Sequence, residues 1–129
     1  MELITSKELD LVTDYIFAYN ESDIDKMLEP LHDEVVFKNI SNGTVNLVTS
    51  GKEEFRRQAE QAKQYFSHRE QRITNLKAEG NQIIVAINYR GIAAIELPNG
   101  LKPGDTLRLQ GKSVFSFENG KIISIEDIS

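Results

Sequence analysis

Apolar residues at the start of the chain recur every three or four positions, which predicts a first helix. They are Leu9, Val12, Ile16 and Tyr19, with Tyr15 on the same side. Thr5 and Glu8 have the spacing of a capping box and are expected to open this helix. Ser22 is expected to cap a second, short helix, which Pro30 ends because the residue before a proline avoids the helical region.

After the second helix the apolar spacing changes from helical to alternating. Residues 34–41 predict a strand that presents Val35, Phe37 and Asn39 on one face. An Asn-Gly dipeptide follows, which is a strong hairpin signal, so a second strand is expected to run back along the first.

A third helix and four further strands complete the predicted elements. Ser50 and Glu53 have the spacing of another capping box, so the helix is expected to begin there. Its buried stripe is Phe55, Ala59, Ala62 and Phe66. The fourth strand presents Ile83, Val85, Ile87 and Tyr89 on one face, with Ile84 and Ala86 on the other. The fifth presents Leu107, Leu109, Gly111, Ser113, Phe115 and Phe117 on one face.

The order of these elements favours an α+β fold with a mostly antiparallel sheet, because the helices precede most of the strands. A chain of 129 residues suits one domain with one core, expected to span residues 1–129. Its 40% hydrophobic and 27% charged residues are those of an ordinary globular protein.

Composition excludes several classes of function. The net charge of −5 and the lack of a concentrated Lys/Arg patch argue against a nucleic-acid partner. The absence of cysteine excludes disulfides, thiolate metal sites and a cysteine nucleophile. The two histidines lie far apart, so no metal site is predicted. Neither a leader peptide nor an apolar run of the roughly 18 residues that span a membrane is visible, so a cytoplasmic protein without membrane contact is expected.

The element order resembles the SnoaL-like, nuclear transport factor 2-like superfamily, whose cone fold hosts many activities. The most specific piece is YIFAYNESDIDKMLEPLHDEVVFKN, residues 15–39, which is similar to the corresponding segment of ketosteroid isomerase. Gly51 at the start of the third helix and the closing segment FSFENGKIISIEDI add to the resemblance. It implies three helices packed in a strongly curved sheet, a cone-shaped α+β barrel.

Of three catalytic residues of ketosteroid isomerase, the comparison finds one retained in this sequence and two replaced. Tyr15 falls where that enzyme has its oxyanion-binding tyrosine, whereas its general-base aspartate falls at Asn39 and its protonated aspartic acid at Ser113. An amide has no titratable proton near neutral pH, so Asn39 does not serve as a base. The resemblance therefore implies the fold without ketosteroid isomerase activity.

Strand alternation predicts a pocket lined by apolar and hydrogen-bonding groups. Its predicted lining is Tyr15, Tyr19, Phe37, Asn39, Phe55, Tyr89, Ser113 and Phe115. Such a lining suits a small hydrophobic molecule with one or two polar atoms, and no cofactor is predicted. The alternative interpretation is that these side chains fill a core, with Leu31 plugging the interior alongside the phenylalanines.

Two places have an open interpretation. On the strand of about residues 68–78, either Arg69 and Gln71 face inward or His68, Glu70 and Arg72 do, and the second choice would supply an acid-base site. Asp127 shares a face with Ile123 and Ile125, but its place near the chain end favours fraying or outward tilt.

The outer face of the sheet predicts self-association, since Ile84, Ala86 and Val114 would leave it partly apolar. A homodimer is therefore expected. The favoured function is binding of a small hydrophobic molecule, and the catalytic residues are left unassigned. The alternatives are a non-catalytic homodimerisation or partner-binding module, and a cyclase- or isomerase-type enzyme that uses His68, Glu70 and Arg72.

Overall fold

The computed structural model describes residues 4–129, and within them all the predicted helices and strands form. Phe66, which was predicted on the third helix, instead begins the third strand. The helices are α1 (Ser6–Asn20), α2 (Ile24–Leu28) and α3 (Lys52–Gln64). The strands are β1 (Leu31–Ser41), β2 (Thr44–Ser50), β3 (Phe66–Glu79), β4 (Gln82–Ala93), β5 (Thr106–Glu118) and β6 (Lys121–Ile128). The first three residues of the predicted single domain lie outside the described part.

The six strands form one curved sheet in the order β2-β1-β6-β5-β4-β3. Neighbouring strands are antiparallel except for β1 and β6, which run parallel. The three helices pack against this sheet, so the predicted α+β class with a mostly antiparallel sheet is confirmed. The sheet is open, with β2 and β3 at its edges, and the last strand of the chain lies near its middle.

Helix α1 begins as predicted. The Thr5 hydroxyl accepts from the Glu8 backbone N–H at 3.2 Å, and the Thr5 N–H donates to the Glu8 carboxylate at 3.0 Å. This reciprocal pair is the capping box, and it satisfies two backbone donors that a helix start otherwise leaves open.

The other two predicted caps are wrong by one position. Asp23, rather than Ser22, caps α2 by accepting from the Lys26 N–H at 3.2 Å, because Ser22 occupies a left-handed turn with φ of 55°. Gly51, with φ of 86°, is the residue that precedes α3 at the N-cap position, and it has no side chain that could cap the helix. Glu54 therefore replaces Glu53 as the acceptor, and it binds the Ser50 N–H at 2.9 Å.

The core lies between α1, α2 and the concave face of the sheet. On β4 the predicted inward residues Ile83, Val85 and Ile87 are buried, which confirms the strand alternation. The fully buried side chains that surround them come from α1, α2, β1, β5 and β6 and include Val12, Met27, Leu31, Val35, Phe115, Ile122 and Ile125.

The outer face of the sheet is less exposed than the sequence suggests. Val114 is only 9% exposed, and Ile84 and Ala86 are half-buried within the single chain. The homodimer stays a prediction. No helix in residues 4–129 has the length and apolar character needed to cross a membrane.

Asn20, the last residue of α1, attaches the helix to the edge strand β3. Its side-chain amide donates to the Gln71 carbonyl at 3.0 Å, and its carbonyl oxygen accepts from the Gln71 N–H at 2.7 Å. The side chain thus pairs with β3 as a neighbouring strand would. This attachment fixes the backbone of β3 beside the helix.

Asn20→Ala is expected to lower the free energy of unfolding by about 2 kcal/mol, because both backbone groups of Gln71 lose their partner. Urea unfolding followed by circular dichroism measures this change. Asn88→Ala, an exposed position on β4, serves as the matched control and should change stability by no more than about 0.5 kcal/mol. Equal effects of the two substitutions would show that the Asn20 attachment contributes nothing.

Candidate functional site

A cavity of about 400 Å³ lies between the helices and the concave face of the sheet. This volume is within the range of roughly 300–1,000 Å³ that small-molecule sites occupy. The cavity is partly open to solvent, and one of its lining residues, Leu109, is 44% exposed. The interior is therefore not plugged, although Leu31 is buried in the core.

Most of the residues predicted to line a pocket are brought together around this cavity. They are Tyr15, Tyr19, Phe37, Asn39, Phe55, Tyr89 and Ser113. Phe115 is the exception, since it is fully buried and does not line the cavity. Its ring packs edge-on against the Tyr15 ring, with centroids 5.8 Å apart, so it supports the lining from behind.

The cavity also contains a carboxyl group, that of Asp127 on β6. Asp127 is the register partner of Asn39 on β1 and of Ser113 on β5, so the three side chains share the concave face. The Ser113 hydroxyl donates to one oxygen of the Asp127 carboxylate at 2.6 Å. Asn39 and Ser113 fall where ketosteroid isomerase has its two acids. In this chain they lie on either side of the Asp127 carboxylate, which is on the strand between them.

The expected outward tilt of Asp127 is wrong because the residue after β6 is hydrogen-bonded to β1 and to the turn that follows β1. The Ser129 N–H donates to the Ile40 carbonyl at 2.9 Å, and the Asn42 N–H donates to the Ser129 carbonyl at 3.2 Å. These bonds extend the parallel pairing of β1 and β6 beyond the last strand residue. The only sequence signal for this placement was the alternation that puts Asp127 on the face of Ile125.

Burial raises the pKa of Asp127 from its ordinary 3.8 to about 6, and the hydrogen bond from Ser113 opposes this rise. The group therefore titrates close to neutral pH. Burial also raises the pKa of Tyr15, with the Asp127 charge adding to the rise and Arg69 acting against it. Tyr15 is consequently a neutral hydrogen-bond donor at neutral pH. The cavity therefore contains a proton-exchanging group, which the predicted lining of apolar and hydrogen-bonding residues did not include.

The structure resolves the open question of strand β3. Arg69 and Gln71 face the cavity and are 5% and 8% exposed, whereas His68, Glu70 and Arg72 are exposed to solvent. An acid-base site built from the latter three residues is therefore excluded. Their alternation offered two polar faces, and sequence alone did not distinguish them.

The cavity has a second cluster of polar side chains, which we call the arginine end. It consists of Arg69, Tyr19, Tyr89 and Gln71. The Arg69 guanidinium lies 4.3 Å from the centre of the Tyr19 ring, a cation–π contact. The hydroxyls of Tyr19 and Tyr89 are 3.5 Å apart. Burial raises the pKa of both phenols, so both are protonated at neutral pH.

The remaining lining is mainly apolar, and its polar members are Asn39, Gln58, Lys112 and Ser129. Phe37 and Phe55 pack with ring centroids 5.8 Å apart, and Phe66 packs against Tyr89 at 6.2 Å. Within residues 4–129 no three His, Asp or Glu side chains lie close enough together to hold a metal ion. The arrangement suits an uncharged or singly charged organic molecule that contacts polar groups at two places.

The chain belongs to the SnoaL-like domain family, whose model matches residues 12–125. Together with the curved sheet and its enclosed helices, this match confirms the resemblance to the SnoaL-like, nuclear transport factor 2-like superfamily. No curated protein matches the chain.

Solved structures share the fold at low sequence identity. A candidate polyketide cyclase from Xanthomonas campestris is 21% identical, with a TM-score of 0.80 over 96% of this chain and 90% of that one. An LEH-like epoxide hydrolase from M. tuberculosis is 18% identical, with a TM-score of 0.75 over 96% and 83%. A protein with a ketosteroid isomerase-like fold from Catenulispora acidiphila, in complex with trimethylamine, is 12% identical, with a TM-score of 0.74 over 92% of this chain and 83% of that one.

Asp127→Asn is expected to change how stability depends on pH. Because the pKa of Asp127 is raised in the folded state, its ionisation opposes folding at high pH and its protonation favours folding at low pH. Relative to the variant, the wild-type protein should gain about 3 kcal/mol as the pH falls from above the folded pKa to below the unfolded pKa of 3.8. Urea unfolding of both proteins across this range measures the difference. A difference that stays flat with pH would contradict the raised pKa.

Proposed function

We propose that this protein is a small-molecule enzyme that moves a proton on a mainly apolar substrate, with Asp127 as the acid-base group. The observation that carries the proposal is the Asp127 carboxylate in an apolar cavity, with one oxygen bound to Ser113 at 2.6 Å. Among the described residues the other carboxylate oxygen has no hydrogen-bond partner. That oxygen is available to a substrate.

The raised pKa suits such a role. With a pKa of about 6, Asp127 is mostly ionised at pH 7 and is a stronger base than an ordinary carboxylate. Removal of a proton from the carbon beside a carbonyl places negative charge on the carbonyl oxygen. Tyr15 lines the same cavity, and its hydroxyl has no partner in residues 4–129, so it is a neutral donor free to stabilise that charge.

The proposed substrate is of the same class as the ligand predicted from the sequence, a small hydrophobic molecule. Phe37, Phe55 and Ile87 supply apolar surface for a small hydrophobic molecule, and the open volume disfavours a domain that serves only for dimerisation. The epoxide hydrolase among the structural neighbours is an enzyme on the same fold, which supports catalysis at the level of the fold alone.

The base-catalysed ring opening of 5-nitrobenzisoxazole tests the proposal without knowledge of the natural substrate. A base takes the ring C–H proton, the N–O bond breaks, and a coloured cyanonitrophenolate forms. The wild-type protein should accelerate this reaction, with a rate that rises through pH 6 because the ionised carboxylate is the base. Asp127→Asn should lower the rate by about a hundredfold or more.

Glu126→Gln is the matched control, because Glu126 precedes Asp127 but pairs with Val114 on the opposite face of the sheet. This variant should retain the wild-type rate. The proposal fails if Asp127→Asn retains the rate as well, or if the wild-type protein is no faster than free acetate.

A further inference from the structure

The arginine end of the cavity is a charged site that the proposed proton transfer leaves unused. Arg69 is 5% exposed, and no carboxylate within residues 4–129 lies within salt-bridge distance of it. Its Nε is buried without a hydrogen-bond partner. An unpaired buried charge is costly, since the solvation lost on burial is not replaced by a counter-charge.

The Tyr19 ring compensates only part of this cost. A cation–π contact at 4.3 Å stabilises the guanidinium from one side. The ring accepts none of the in-plane N–H bonds. One of these donors is directed at the Tyr89 hydroxyl, and the others remain for a ligand. In-plane N–H groups of this kind bind carboxylates in a bidentate manner. These donors favour a ligand with a planar oxyanion.

Neighbouring groups point to the same kind of ligand. The Tyr19 and Tyr89 hydroxyls are only 3.5 Å apart and share at most one hydrogen bond between them, so one O–H remains free to donate to a ligand. The Gln71 side-chain oxygen is a buried acceptor without a donor, and its backbone is fixed by Asn20. A carboxyl group with an adjacent hydroxyl would satisfy the free donors and this acceptor together.

The arginine end is separated from Asp127 along the sheet. At the arginine end, Tyr89 on β4 pairs with Gln71 on β3. At the other end, Val85 on β4 pairs with Ser113, which pairs in turn with Asp127. From Val85 to Tyr89 the backbone of β4 rises by about 13 Å, although the Tyr89 side chain is near enough to Asp127 for the carboxylate charge to raise the pKa of Tyr89. The surface between the two ends is apolar and includes Ile87. A ligand that contacts both ends is therefore apolar in its middle and charged at one end.

We propose that the substrate is an apolar organic acid whose carboxylate binds Arg69, with its reacting carbon near Asp127. This inference rests on the proposed function for the role of Asp127 but not for the binding of the carboxylate. Arg69 acts in substrate selection, and the one free phenolic O–H of the Tyr19 and Tyr89 pair donates to the same carboxylate.

Two aromatic probes of the same shape, 2-naphthoate and 2-naphthamide, test the inference by isothermal titration calorimetry on the wild-type protein. The carboxylate should bind at least about tenfold more tightly than the neutral amide, because only the former forms charge-assisted bonds with Arg69. Equal affinities, tighter binding of the amide, or no binding of either probe at millimolar concentration would overturn the inference.

Variants then assign the preference to a residue. Arg69→Gln should remove the preference for naphthoate, whereas Arg72→Gln, an exposed position on the same strand, should preserve it. Retained preference in folded Arg69→Gln would overturn the assignment. If that variant does not fold, the affinities of the two probes for the wild-type protein still decide whether the cavity prefers a carboxylate.

The outcomes separate the two proposals. Naphthoate preference without benzisoxazole ring opening would support the carboxylate site and remove the proposed proton transfer. Ring opening that depends on Asp127 without naphthoate preference would remove the carboxylate site and support the proton transfer.

Discussion

The parallel pairing of β1 with β6 is the constraint on which the site depends. It inserts the last strand of the chain between the first strand and β5, so that the C-terminal residues lie near the middle of the sheet. Bonds from Ser129 to Ile40 and Asn42 hold the end of that strand. Without this pairing Asp127 would hydrate freely at a frayed end, and its carboxyl would have an ordinary pKa.

The cavity is apolar by area and polar at two separate places. Asp127 is ionisable and bound to Ser113, while Arg69 is charged and stacked on Tyr19. Each group is costly to bury, and neither neutralises the other through a salt bridge. Buried ionisable groups with shifted pKa values concentrate at functional sites, which makes this cavity the candidate site.

The sequence predicted the fold well because that information is local. Apolar periodicity marked the helices, an Asn-Gly dipeptide marked the first hairpin, and alternation placed Ile83 and Val85 inward. The caps at Ser22 and Ser50 were misplaced because turn geometry at Ser22 and Gly51 moves the helix start by one residue. The spacing of the capping residues does not determine the backbone φ of the residue before the helix, so it does not fix the residue at which the helix begins.

The site was predicted only in part because its charged members depend on contacts between distant segments. Tyr15, Asn39 and Ser113 were placed by resemblance and strand alternation. The inward face of β3 is decided by the register with β4 and by the attachment of Asn20, neither of which is encoded near Arg69. Asp127 was discounted for its position in the chain, whereas its environment is set by its position in the sheet.

The pKa of the Asp127 carboxyl in the folded protein is the most direct test. It is measured by carbon-13 NMR titration of the side-chain carboxyl groups, with the signal assigned by its absence in Asp127→Asn. A pKa of about 6 is predicted for a carboxyl buried in the cavity. A pKa at or below the ordinary value of 3.8 would contradict it and would place Asp127 in water or in an unrecognised ion pair.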